Sequence, residues 1–85
     1  MKVYVLTQSE SVELGDIHEQ FLGVYGDLQK AMDAGSAEVN RLHNRPHHIT
    51  FVIYECVDDN GNFTHVSVAR MRLTDDCWTP ITTNQ

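Results

Sequence analysis

The residues Asp-Asn-Gly-Asn at positions 59–62 stand between two runs rich in β-branched and aromatic residues, "ITFVIYECV" (49–57) and "FTHVSVARMRL" (63–73). Asn-Gly is the pair favoured in a two-residue type I′ turn, because both central positions need positive φ and these residues reach it at low cost. Such a turn commits the two runs to antiparallel pairing. Closing it on Asp59 and Asn62 sets Val57 opposite Thr64, Cys56 opposite His65, Tyr54 opposite Ser67 and Ile53 opposite Val68. Alternation then gives one face Ile49, Phe51, Ile53, Val57, Val66 and Val68, expected to meet a helix. The other carries Thr50, Tyr54, Cys56, His65, Ser67 and Met71 and is half polar.

A helix is available upstream. From Asp27 the apolar positions Leu28, Ala31, Met32, Gly35, Val39 and Leu42 fall at intervals of three, four and seven, which lines one helical stripe. Asp27 is the natural N-cap, since its carboxylate can accept amide hydrogens of the first turn. Gly35 weakens the middle and leaves open a split into two shorter helices, while Asn44 and Pro46 mark the end. Before the helix, "KVYVLT" (2–7) reads as a central strand and "EQFLGVYG" (19–26) as a second strand, with Gly23 a bulge or a close approach. Between them lies a loop carrying Glu10, Glu13, Asp16 and Glu19 with no Lys or Arg. After residue 73, "TDDCWTPITTNQ" turns polar. This tail is either loosely ordered or pinned by Trp78.

The predicted fold is therefore α+β, a four-stranded and mostly antiparallel sheet with one helix on one face, in the order ββαββ. Eighty-five residues at 41% hydrophobic content allow one domain with one modest core. A formal net charge of −6 disfavours nucleic acid and anionic membrane and suits a basic partner surface. "MKVYVL" lacks the apolar run and cleavage site of a signal peptide, and no run reaches the length of a membrane span, so a cytoplasmic setting is expected. Cys56 and Cys77 form no CxxC pair, and reduced thiols are expected.

Three clusters invite a chemical reading. His43, His47 and His48 in "LHNRPHHITF" have the residue type for a zinc site, but Pro46 prevents His43 and His47 from sharing a helical face. A connection between helix and strand is the expectation there, with weak metal or small-ligand binding as the alternative. Cys56 opposite His65 resembles a nucleophile and its base, yet no orienting group or oxyanion pocket accompanies the pair, and no enzyme or cofactor is expected. The acidic loop lacks the close Asp and Asn spacing of a calcium loop. Arg70 with Arg72, and Arg41 with Arg45, could form basic patches, but no aromatic stacking motif accompanies them.

The order "KVYVLT", an acidic loop, "FLGVYGDLQKAMDA" and a hairpin resembles small uncharacterised proteins of bacteriophages and bacteria. The resemblance covers about the first third of the chain and rests on strand residues, an N-cap and a helix face. It implies the ββαββ layout and a phage accessory gene, and it carries over no catalytic residue. The expected function is binding to a host or cellular protein with a basic surface, including inhibition of a host enzyme or defence component. Glu10, Glu13, Asp16, Glu19, Tyr54, His65 and Met71 are the candidate contact residues. A homodimer formed through an exposed strand or the open sheet face is the alternative.

Overall fold

The computed structural model describes residues 1–11, 17–42, 48–73, 75 and 77–81, with His48 described in its backbone only. Its elements are β1 (Lys2–Ser11), β2 (Ile17–Tyr25), α1 (Leu28–Leu42), β3 (His48–Asp59), β4 (Asn62–Arg72) and β5 (Thr79–Pro80). The strands form one antiparallel sheet in the order β2-β1-β3-β4-β5, with β1 internal as its apolar sequence requires. The α+β class with one helix holds. The sheet has five strands rather than four, because the tail returns along β4. The first hairpin is also longer than expected: Glu10 lies inside β1 and Glu19 inside β2, so neither belongs to the expected acidic loop. Among the described residues no helix is long and apolar enough to cross a membrane.

The Asn60-Gly61 turn forms as read, with φ of 54° and 87° at its two central residues. Thr64, His65 and Ser67 stand opposite Val57, Cys56 and Tyr54. The ladder then slips. Ile53 pairs with Ala69 instead of Val68, so Val68 is the extra residue of a β-bulge. Beyond it the faces of β4 exchange, and Ala69 and Met71 turn to the helix side while Arg70 and Arg72 turn away. Met71 is therefore a core residue, 2% exposed, and not a member of the open face. Val66 keeps its place opposite Glu55 but remains exposed. A second bulge lies between Leu6 and Thr7 on the β1–β2 ladder, where Leu22 is the extra residue and packs against the core. Beside it Gly23 provides the expected close approach, since a Cβ there would lie 2.8 Å from the Tyr25 hydroxyl.

Helix α1 runs unbroken through Gly35. Asp27 caps it as expected, accepting the Gln29 amide hydrogen on Oδ1 at 2.7 Å. Ala31, Gly35 and Leu42 are buried on its inner stripe, and Leu28, Met32 and Val39 pack against the core of Leu6, Ile49, Phe51, Ile53, Ala69 and Met71. Each fully buried Phe51, Leu6 or Ile53 side chain contributes about 1.5–3 kcal/mol relative to exposure. By comparison, the Arg41–Glu38 pair at 2.8 Å is screened by water and contributes little. Packing, not surface charge, holds the helix down.

The tail is pinned by Trp78. Asp75 reverses the chain after β4, its carboxylate accepting the Arg72 amide hydrogen at 2.9 Å while its own amide donates to the Arg72 carbonyl at 2.9 Å. Trp78 Nε1 then donates to the Met32 carbonyl at 3.1 Å, and the indole lies directly over Gly35. Thr79 and Pro80 pair with Arg70 and Ala69, and the Ile81 amide donates to the carbonyl of Val68 at 3.0 Å. The bulge residue that pairs with nothing on β3 is thus satisfied by the tail.

Two substitutions test these devices. Valine at Gly61 is strained at a φ of 87°, so Gly61→Val should lower the unfolding free energy by roughly 1–3 kcal/mol. An unchanged denaturation midpoint would show that the turn does not set the register. At Gly35 a Cβ would meet Trp78 Cζ2 at 2.4 Å, and overpacking of about 1–3 kcal/mol outweighs the gain of up to about 1 kcal/mol in helix propensity. Gly35→Ala should therefore destabilise the protein, and should turn stabilising when Trp78 is replaced by leucine.

Candidate functional site

One face of the sheet is covered by α1, and the opposite face is open. Alternation from the observed registers assigns to the open side Ile17, Glu19, Phe21 and Val24 of β2 and Val3, Val5, Thr7 and Ser9 of β1. It assigns there also Val52, Tyr54 and Cys56 of β3, and Phe63, His65, Arg70 and Arg72 of β4. Four of these are large, apolar and mostly in water: Ile17 is 71% exposed, Phe21 62%, Val24 51% and Phe63 66%. A single exposed apolar residue is ordinary, but here four share one side of one sheet, with Phe21 and Val24 neighbours on β2, Ile17 at the far end of that strand and Phe63 beside the Asn60-Gly61 turn.

Near the middle of this face Val5, Glu19, Tyr54, Cys56, Phe63 and His65 line an open depression of about 290 Å³. Its floor follows from the ladder. Val5 lies opposite Tyr54, Cys56 opposite both Val3 and His65, and the small thiol leaves room among larger neighbours. The rings contact one another. Tyr54 and His65 meet edge to face, with centroids 6.1 Å apart and planes at 63°, and Phe63 lies 6.3 Å from His65 at a tilt of 33°. Glu19 is the one carboxylate among the described lining residues, and its Oε2 accepts a hydrogen bond from the Ser9 hydroxyl at 3.4 Å. Thr7 is buried where β2 bulges, its hydroxyl donating to the Val52 carbonyl at 3.1 Å, so it stiffens the sheet behind the site.

The expected contact residues are divided by the fold. Tyr54, His65 and Glu19 come together at the depression. Glu10 lies on the helix side, opposite His18 and Ile49, so it and Glu19 occupy opposite faces of one hairpin. Met71 is in the core. Glu13 and Asp16 lie outside the described residues, as do His43 and His47; His48 begins β3, its backbone paired with Ser11. No group of three metal-binding side chains occurs among the described residues. Cys56 does face His65 across the ladder as the turn predicts, and their shared surroundings are aromatic.

Reading the sequence alone misses Ile17, Phe21, Val24 and Phe63. The period-two spacing of Ile17, Glu19 and Phe21 would have exposed the first pair had β2 been started at Ile17. Val24 needs the bulge, which shifts the alternation by one.

Thiol chemistry provides a direct check on this surface. Cys77 is exposed and Cys56 is 8% exposed at the floor of the depression. In the native protein an aromatic disulfide reagent should modify Cys77 rapidly and Cys56 much more slowly, with equal rates in denaturant, as followed by mass spectrometry of the two peptides. Equal native rates would contradict the burial of Cys56.

The chain matches no protein-family model, no curated protein and no solved structure.

Proposed function

We propose that this chain is a small accessory protein that acts by binding another protein through the open face of its sheet. The observation that carries the reading is the group Ile17, Phe21, Val24 and Phe63, each more than half exposed on the side that α1 does not cover. Burying such a group against a partner removes apolar surface from water, and aromatic side chains on a rigid sheet lose little freedom on binding. The net charge of −6 favours a partner with a basic surface and speeds its encounter. A phage or bacterial setting, with inhibition of a host enzyme or defence component as the outcome of binding, is supported by the sequence resemblance alone.

A homo-oligomer is the second reading, and β2 favours it. This strand is a sheet edge of nine residues without Lys, Arg or Pro, the residues that commonly block edge pairing. Light scattering across a concentration series separates the two: a constant monomer mass removes the oligomer, and a dimer mass that persists on dilution favours it.

The protein-binding reading is tested by placing a photo-crosslinking residue at Phe21 or, as control, at Lys30 on the exposed side of α1, in cells that produce the chain. Phe21 should give an adduct of defined mass that is lost when Phe63→Asp is added, while Lys30 gives none. Phe63 is largely in water but stands opposite Asp58, so Phe63→Asp should lower the melting temperature modestly, and the crosslinks are compared well below it. Absence of an adduct at Phe21, or the same adduct at Lys30, would remove the open face from the function.

A further inference from the structure

The depression on the open face has a chemistry narrower than that of the face as a whole. We propose that it receives a basic side chain, an arginine guanidinium above all, projected by the bound partner. This inference rests on the protein-binding reading and names the group that the partner would insert.

Three rings line the site, and the faces of two of them, Tyr54 and Phe63, attract a cation through the ring quadrupole. Tyr54 and His65 are held edge to face and Phe63 is tilted against His65, so the rings present surfaces in more than one direction around a shared space. Glu19 adds a negative charge at the same site. The Ser9 hydroxyl uses one acceptor position of that carboxylate, which has about four. Among the described residues no Lys or Arg lines the depression, and Arg72 is drawn to Asp75 at 3.6 Å. The remaining lining, Val5 and Cys56, is apolar and suits the methylene stem of a long basic side chain. A volume of about 290 Å³ accommodates one such side chain and not a larger folded element. Arginine is preferred over lysine because its planar group can stack on one ring while its edge donates to the carboxylate.

A neutral apolar anchor is the competing occupant. It would use the same rings but gain nothing from Glu19, and this difference makes the two separable.

The test uses the whole protein and small probes. Nitrogen-15-labelled protein is titrated with N-acetyl-arginine amide and, separately, with the neutral isostere N-acetyl-citrulline amide, while backbone amide shifts are followed. Arginine amide should produce saturable shifts confined to Val5, Tyr54, Cys56, Phe63, His65 and Glu19, and bind about tenfold more tightly than citrulline amide. Glu19→Gln and Tyr54→Ala should each weaken it severalfold, and Glu19→Gln, at an exposed position, should keep the native spectrum elsewhere. Arginine amide should also slow modification of Cys56 but not of Cys77. Equal binding of the two probes, shifts centred elsewhere, or no saturation would each overturn the proposal. Because the probes need no partner, failure here with a persistent Phe21 crosslink would reject the basic anchor and leave the protein-binding reading standing. The opposite pair of results would reject that reading and leave a cation site.

Discussion

A single fifteen-residue helix has to seal one face of a five-stranded sheet, and the contact between Gly35 and Trp78 makes that possible. With no side chain at Gly35 the indole can lie on the helix itself, and its N–H is satisfied by the Met32 carbonyl. This one contact fastens the C-terminal tail to α1 and aligns β5 along β4. It also brings the Ile81 amide to the carbonyl of the bulged Val68. The cost of a glycine inside a helix, about 1 kcal/mol, is offset by burying much of an indole against the core. A feature that weakens the helix locally thus closes the domain.

The bulges have the next largest effect. A sheet alternates strictly, so a single extra residue exchanges the faces of everything beyond it. At Val68 the exchange places Ala69 and Met71 under the helix and directs Arg70 and Arg72 outward. At Leu22 it brings an additional apolar side chain to the core and leaves Phe21 and Val24 both on the open side. The open face therefore gains aromatic and basic character and loses the methionine that simple alternation assigns to it. This sorting decides what each face presents, because the helix covers only one side and the other stays open.

Charge has a subordinate part in the architecture. The ion pairs Lys2–Glu55, Arg41–Glu38 and Arg72–Asp75 all have one largely exposed member, which limits each to a small contribution. Tyr4 illustrates the coupling of charge and packing: burial, together with the nearby Glu55 carboxylate that its hydroxyl hydrogen-bonds at 3.2 Å, raises its pKa above the ordinary phenol value. The folded state accordingly favours the neutral phenol, and this contribution is present at neutral pH and fades only as pH rises through the raised value. Charge therefore contributes little to holding the fold together beside the packed core.

Local features of the sequence determined much of this protein. The Asn60-Gly61 turn, the pairing of Cys56 with His65, the Asp27 cap and the inner stripe of α1 all follow from φ preferences, hydrogen-bond acceptors and helical spacing acting over a few residues. The candidate site was legible to the same extent: Tyr54 and His65 could be assigned to one face because both lie between the turn and the bulge. The tertiary structure decided the rest. Nothing local to Val68 announces an extra residue, since the slip is stabilised by Ile81, thirteen positions away, and by the core's need for Met71. Nothing local to Gly35 reveals that it is the seat for Trp78. The convergence of Glu19, Val5 and Phe63 on one depression depends on pairing among β2, β1, β3 and β4, and residues brought together by four strands leave no periodic trace in the chain.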